Sequence, residues 1–278
     1  MLSKDRYAVI GNPIAHSKSP LIHAAFAAQT GQNLEYERIL GDNSQFASTV
    51  RAFFANGGRG LNVTLPFKEL AWQLADERSI RANLVEVANT LAVLPDGRIL
   101  ADNTDGAGLI QDLTSNWHIN ITGCNILLLG AGGAAQGVVP ALLEQQPAQI
   151  IIANRTATKA QLLVERILNK ITPTIPIQGC GLDALTGQSF KLIINATSAG
   201  LWGQIPELPS ECVTQTTIIY DMVYANEPTP FMHWGQMHGA KLAIDGLGML
   251  IEQAAESFLL WRGVRPNTKP IMQLLRPN

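Results

Sequence analysis

The sequence predicts an α/β protein of two open-sheet domains, on three observations. Apolar runs of strand length alternate along the chain with segments that carry an apolar stripe at helical spacing. One such run, Ile126 to Leu129, leads into Gly130-x-Gly132-x-x-Ala135, a glycine-rich turn from strand to helix. The chain of 278 residues also exceeds the usual size of one compact core.

In chain order, residues 6–10 form a first strand that Gly11-Asn12-Pro13 ends. Ser19 and Pro20 then mark a helix start, with a hydroxyl at the N-cap and proline at the first helical position, ahead of the helical run 21–28. Ser17 and Ser19 beside that helix N-terminus would also offer donors to a small carboxylate, and capping and ligand binding can share the loop. Residues 34–40 alternate as a strand, and residues 44–56 carry the stripe Phe46, Val50, Phe53, Phe54. After Gly57-Gly58-Arg59-Gly60, residues 61–65 form a short strand and Pro66 opens a helix. Lys68 falls in its first turn, where the helix dipole disfavours a positive charge. A catalytic lysine would use that; taken alone, the residue reads more readily as a solvent-facing lysine paired with Glu69 or Glu86. Residues 88–94 and 98–100 form a hairpin around Pro95-Asp96-Gly97. It delivers the chain to Asp102-Asn103-Thr104-Asp105-Gly106, where either aspartate would serve as an N-cap for the helical run 109–113.

In the glycine-rich turn Gly130 reverses the chain, Gly132 lets a pyrophosphate approach the backbone, and Ala135 keeps helix and strand close. A helical stripe of Ala134, Val138, Val139, Leu142 and Leu143 follows, with a kink expected at Pro140. The buried strand 149–154 then completes a βαβ unit. At the end of that strand, where a ribose 2′-hydroxyl is met by Asp or Glu, the chain reads Asn154-Arg155-Thr156-Ala157-Thr158-Lys159. Arg155 and Lys159 with the neutral donors Asn154 and Thr156 suit a 2′-phosphate, so NADP is expected rather than NAD. An ordinary solvated basic turn looks the same locally, but here it stands at the right distance from the fingerprint. A helix at 160–171, a strand remnant at 175–177 and a buried strand at 191–195 come next. The last runs into small polar residues at 196–200, the expected nicotinamide end. Residues 201–215 read as a long loop and 217–224 as the last strand of this domain. Leu247, Leu250, Ile251, Ala254, Phe258 and Leu259 make the apolar face of a final helix ending near Gly263. Gln253 is its polar member, a ligand donor or a surface amide.

A composition of 46 % hydrophobic and 15 % charged residues is that of a soluble globular protein, and a net charge of −2 gives no field for nucleic acid or anionic lipid. No apolar run is long enough to span a bilayer, and a cytoplasmic location is expected. Cys124, Cys180 and Cys212 lack ligand spacing, so buried free thiols are expected, with neither metal nor disulfide.

Taken in register, Asn12-Pro13 with His16-Ser17-Lys18-Ser19-Pro20, the segment 62–68, Ala88-Asn89-Thr90, the segment 102–106, the glycine turn 130–134, Asn154-Arg155-Thr156, Asn195-Ala196-Thr197-Ser198 and the segment 245–250 resemble the shikimate dehydrogenase family over nearly the whole chain. The resemblance implies reversible NADPH-dependent reduction of 3-dehydroshikimate to shikimate, on the way to chorismate and the aromatic amino acids. It implies an N-terminal substrate and catalytic domain, 1–105 plus 241–278, completed by the C-terminal helices, and a Rossmann-type NADP-binding domain, 106–240. Lys68 and Asp105 become the catalytic pair. Ser17 and Ser19, with Tyr224, become donors to the substrate carboxylate, and Asn62, Thr64, Asn89, Asp105 and Gln253 hold ring hydroxyls. Gly130, Ala131, Gly132, Gly133, Ala134, Asn154, Arg155, Thr156, Lys159, Met222 and Gly246 surround NADP. Lys159 stands where the family often has arginine, which makes the 2′-phosphate contact less planar. A quinate/shikimate dehydrogenase, a non-catalytic NADP- or metabolite-sensing module and a structural or interaction protein that binds neither ligand are the rival readings. The expected partner is the small-molecule substrate alone, with no nucleic acid or membrane, and the expected assembly a monomer or homodimer.

Overall fold

A computed structural model describes residues 3–276. Two compact units are present: one comprises the chain up to Leu109 and again from Leu250, the other Ile110–Met249.

The first unit is an α/β layer grown around β1 (Asp5–Gly11). There follow α1 (Ser19–Thr30), β2 (Leu34–Leu40), α2 (Phe46–Ala55), β3 (Gly58–Val63), α3 (Lys68–Leu74), β4 (Glu77–Arg78), α4 (Ile80–Val85), β5 (Thr90–Val93), β6 (Ile99–Asp102) and α5 (Asp105–Gln111). The sheet order is β2-β1-β3-β5-β6-β4. β2 and β3 flank β1 in parallel, and the tight turn between β5 and β6 reverses the chain, so β5 runs antiparallel to both β3 and β6. β4, two residues long, carries no periodic signal and was not expected from the sequence.

Alternation along the strands puts Ala8, Ile10, Leu61 and Val63 on one face, against Phe46, Val50, Phe53 and Phe67. Tyr7 points the other way and meets Trp261, ring centroids 4.8 Å apart, from α9 (Leu247–Arg262). Only a glycine fits beneath that indole: a Cβ on Gly60 would lie 2.4 Å from it. The Trp261 Nε1–H donates to the Leu91 carbonyl at 3.0 Å. α10 (Lys269–Leu275), short and without a sequence signal, closes the described chain.

Two details of the helices differ from the sequence expectation. Ser19 is not the N-cap of α1; Lys18 occupies that position without a side-chain bond, and Ser19 is the first helical residue. The Ser17 hydroxyl already reaches Ser19, so the hydroxyl expected at the cap is engaged within the loop instead. On α9 Leu259 is 37 % exposed and leaves the buried face, which runs through Leu247, Ile251, Ala254, Ala255 and Phe258.

The second unit contains β7 (Asn125–Leu129), α6 (Gly133–Glu144), β8 (Gln149–Ala153), α7 (Ala157–Leu168), β9 (Ile177–Cys180), β10 (Leu192–Asn195), β11 (Ile218–Asp221), α8 (Pro230–Met237) and β12 (Leu242–Ile244). Its parallel order, β12-β11-β10-β7-β8-β9, is that of the doubly wound dinucleotide fold, with the strand order reversing beside β7. Ile126, Leu127, Leu128 and Leu129 of β7 are fully buried, as a strand covered on both faces requires. α6 runs unbroken past the buried Pro140. The third strand lies at 177–180 rather than 175–177, because Ile150 pairs with Ile177 and carries the ladder onward to Cys180. Strand β11 is not the last of the sheet: the three-residue β12 pairs beside it, after an α8 that the sequence pattern does not mark. Cys124, Cys180 and Cys212 are free thiols.

Candidate active site

The first unit buries a polar set where an apolar interior would be expected. Register builds it. Thr90 lies opposite Asn62 of β3 on one side and Asp102 of β6 on the other, while Gln253 and Ser257, one turn apart on α9, add side chains to the same set. Asn62, Asn89, Thr90, Thr104, Asp105, Gln253 and Ser257 are all buried. Asn62 Nδ2 donates to Ser257 Oγ at 2.9 Å and Thr90 Oγ1 at 3.2 Å. Asn89 Oδ1 accepts from the Thr104 amide at 2.9 Å, and Asn89 Nδ2 faces Asp105 Oδ1 at 2.8 Å, Thr104 Oγ1 at 2.9 Å and Gln253 Oε1 at 3.1 Å. Burial of so many polar atoms is tolerable only because they satisfy one another.

Lys68, the first residue of α3, reaches this set from outside. Its Nζ donates to Asp105 Oδ2, and the two side chains are 15 % and 7 % exposed. The carboxylate partner is therefore Asp105, 37 residues away in sequence, and not Glu69 or Glu86 as a local surface pair would have it. Asp105 is fixed on both oxygens, by Lys68 and by Asn89.

Neither aspartate of the 102–105 segment is an N-cap. The Asp105 amide at the start of α5 donates to Asn103 Oδ1 at 3.0 Å, an Asx turn that leads the chain into the helix. Asp102 instead receives Arg81 as a two-pronged clamp, Nε to Oδ1 at 2.7 Å and Nη2 to Oδ2 at 2.6 Å, together with the Ser79 hydroxyl at 2.5 Å. Burial pushes this carboxyl up, but Arg81 and Ser79 together outweigh it and hold it below the ordinary value. Asp102 thus pins the start of the segment that presents Asp105. Arg81→Ala should lower unfolding stability by about 1–3 kcal/mol, less than a fully buried pair would lose because the arginine side chain is 41 % exposed. Arg81→Lys should restore only part, having no fork to match the carboxylate. Urea midpoints test this, and an unchanged midpoint for Arg81→Ala would remove the clamp.

Ser17 and Ser19 lie together at the start of α1, Oγ to Oγ 3.1 Å, and Arg38 holds the loop by donating to the Ser17 carbonyl from Nη2 at 2.6 Å. Thr64, half-buried just beyond β3, is tied through its amide to the Ile10 carbonyl at 3.0 Å.

In the second unit Gly130 turns with φ +104°, a conformation in which a side chain would be strained and would crowd the Ala196 carbonyl. Its amide donates to the Ala153 carbonyl at 2.8 Å, drawing the end of β8 and with it Asn154 toward the turn. Gly132 is exposed and a Cβ there would meet nothing within 4 Å, so the backbone just before α6 is open to an approaching group. Ala131, Gly133 and Ala134 line the same turn, and Arg155, Thr156 and Lys159 stand exposed beyond β8. Asn154 Nδ2 donates to the Thr156 carbonyl at 3.0 Å and shapes that basic turn. An anionic dinucleotide with a 2′-phosphate fits these groups. Met222 and Gly246 are brought together: a Cβ on Gly246 would stand 2.3 Å from the Met222 carbonyl oxygen. Tyr224 lies in this unit, half-buried past β11.

Asp221, at the end of β11, organises that edge. It is fully buried and accepts from Asn195 Nδ2 at 3.0 Å, the Val223 amide at 3.1 Å and Thr229 Oγ1 at 2.6 Å. Burial pushes its carboxyl up to about 6; these three donors pull the other way and the negative Asp245 adds to the rise.

Several members of these sets are not singled out by the sequence: Tyr36, whose hydroxyl donates to Asn62 Oδ1 at 2.7 Å, and Arg81, Thr104, Asp221 and Ser257. Helical spacing from Gln253 marks Ser257 as sharing its face, and strand alternation marks Tyr36 as inward. For Arg81 and Asp221 nothing local distinguishes a clamp from a surface charge.

A buried ammonium–carboxylate pair amid hydroxyls and amides in one unit, with a glycine-rich dinucleotide turn in the other, defines the class of nicotinamide-linked α/β dehydrogenases. Comparison with known proteins gives the particular family. The family models described as the shikimate dehydrogenase substrate binding domain, shikimate / quinate 5-dehydrogenase and shikimate 5′-dehydrogenase C-terminal domain match residues 9–91, 112–200 and 246–276. The shikimate dehydrogenase (NADP(+)) of Alkalilimnicola ehrlichii is 52 % identical over 273 residues, covering 98 % of this chain and 99 % of that protein. Among solved structures, an Ael1 enzyme from Pseudomonas putida superposes with a TM-score of 0.89 at 44 % identity, covering 99 % of both chains. The shikimate 5-dehydrogenase of Thermus thermophilus, solved with NADP(H) and shikimate, gives 0.84 at 30 %, covering 97 % of both. The chain belongs to the shikimate dehydrogenase family.

Proposed function

We propose that this protein is an NADP-dependent shikimate dehydrogenase, reducing 3-dehydroshikimate to shikimate and running in reverse with shikimate, in the pathway to the aromatic amino acids. NADP, when bound, supplies or accepts the hydride at the carbinol carbon. Gly130–Ala134 would hold the pyrophosphate, and Asn154, Arg155, Thr156 and Lys159 the 2′-phosphate, with Met222 and Gly246 at the nicotinamide end. Lys68 gives a proton to the ketone oxygen during reduction and receives it during oxidation, while Asp105 keeps the ammonium in place. Ser17 and Ser19 receive the carboxylate. Asn62, Thr64, Asn89 and Gln253 take the ring hydroxyls; the two amide hydrogens of Asn89 face three acceptors, on Asp105, Thr104 and Gln253, which leaves one acceptor to which a ligand hydroxyl can donate. The enzyme acts in the cytoplasm as a monomer or homodimer. Among the described residues no helix is long and apolar enough to cross a membrane.

The observation that carries this reading is the Lys68–Asp105 pair set among hydroxyls and amides. Purified protein with shikimate should reduce NADP with a higher kcat/KM than NAD, and should turn over quinate more slowly; nicotinamide absorbance reports each. Comparable rates with quinate would make it a quinate/shikimate enzyme. Binding of both ligands without hydride transfer would make it a sensor and end the enzymatic reading.

A further inference from the structure

Two neighbouring strands of the second unit end in side chains that fold back on their own loops. β10 ends at Asn195, whose Oδ1 accepts from the Thr197 amide at 3.1 Å and the Thr197 hydroxyl at 2.7 Å. β11 ends at Asp221, whose Oδ1 accepts from the Val223 amide at 3.1 Å. The two residues stand opposite each other in the parallel register, and Asn195 Nδ2 donates to Asp221 Oδ1 at 3.0 Å. Both are fully buried, and Thr229 Oγ1 holds the other carboxyl oxygen of Asp221 at 2.6 Å. An amide has one accepting and one donating end, whereas an ionised carboxylate only accepts, so Asp221 fixes which way Asn195 faces. Turned over, Asn195 would set its own N–H groups against the two donors of Thr197.

Each loop then reaches a residue that the cofactor reading places at NADP. On one side the Thr197 methyl lies beside the dinucleotide turn, and a Cβ on Gly130 would stand 3.2 Å from it. On the other, the Val223 carbonyl accepts from the Gly246 amide at 3.1 Å, which keeps Gly246 against Met222.

We infer that Asp221 is a positioning residue for the dinucleotide: through Asn195 it seats Thr197 beside Gly130, and through Val223 it places Gly246 with Met222. The inference rests on the NADP reading above. The pyrophosphate turn and the nicotinamide end are thereby held in register before the cofactor arrives, so its binding has less ordering to do.

Calorimetric Kd values for NADP test this without turnover. Asp221→Leu keeps the bulk and removes the acceptor, and should raise the NADP Kd by at least ~5-fold, with the shikimate Kd within about twofold of wild type. Asp221→Asn keeps an acceptor for Asn195 and should recover at least ~3-fold of that loss. Thr197→Val retains the methyl beside Gly130 and should also weaken NADP binding. Combined with Asp221→Leu, its effect should fall short of the product of the single effects by at least ~2-fold, because both substitutions break one chain of bonds. Equal Kd values for the leucine and asparagine variants, an NADP Kd untouched by Asp221→Leu, or multiplicative effects overturn the inference. So does a parallel rise in the NADP and shikimate Kd values with a lowered Tm, which marks packing alone. Should Asp221→Leu fail to fold, Asn195→Ala cuts the same link from its other side and is read against the same outcomes. A wild-type protein that binds shikimate but no NADP fails the cofactor reading instead and takes the inference with it.

Discussion

Lys68→Ala is expected to lower kcat for shikimate oxidation by at least ~10²-fold, the scale of a lost general acid–base, with a smaller change in the shikimate KM. The expectation follows from position. Lys68 opens α3, is only 15 % exposed, and is anchored by a carboxylate that Asn89 also holds. Alanine suits a helix at that site, and Asp105 keeps its Asn89 bond, so the fold should survive; a thermal melt run beside the assay verifies this. Loss should appear equally in kcat and kcat/KM if the ammonium acts only as the proton moves. A variant that binds shikimate poorly yet turns over within tenfold of wild type would leave the lysine a binding role and nothing more.

Asp221→Asn should stabilise the protein at alkaline pH and have little effect near pH 4. The carboxyl sits near 6 in the folded chain against an ordinary value of 3.8, so the folded state holds its proton more tightly than the unfolded one. For a group shifted upward in this way, stability falls as pH rises from about 4 through about 6 and stays lowered above it, by on the order of 3 kcal/mol. Asparagine never ionises, and its carbonyl can still accept from Asn195 and the Val223 amide, while its amide turns to Thr229 Oγ1. Urea midpoints of both proteins at pH 8 and pH 4.5 provide the measurement. An offset that is the same at both pH values would mean the charge is not what the substitution removes.

The elements with strong periodicity or strong chemistry were legible in the sequence. The apolar run into Gly130, the second run into Asn154, the stripe Phe46, Val50, Phe53 and the hairpin at Pro95-Asp96-Gly97 all appear where pattern and turn residues put them. Strands of two and three residues, Glu77–Arg78 and Leu242–Ile244, are shorter than one pattern repeat can mark; they exist because a neighbouring strand offers a ladder. Ser19 misled for a related reason, since Ser-Pro reads as a cap whichever residue takes the cap geometry. For the site, residue type and resemblance singled out Lys68 and Asp105, but not that the side chain of Asn103, rather than either aspartate, would meet the first amide of α5. The supporting residues were hidden by separation: Tyr36 meets a partner 26 positions away, Ser257 one 195 positions away, and one sequence carries no trace of such pairings.

The contribution of α9 to the first unit has a consequence for how the protein is made. Gln253, Ser257, Phe258 and Trp261 complete a sheet whose strands all lie before residue 103. During synthesis that sheet therefore emerges with its amides unanswered and one aromatic face bare, and waits while all six strands of the other unit leave the ribosome. The dinucleotide unit can fold as it emerges, whereas the lobe made first is finished last.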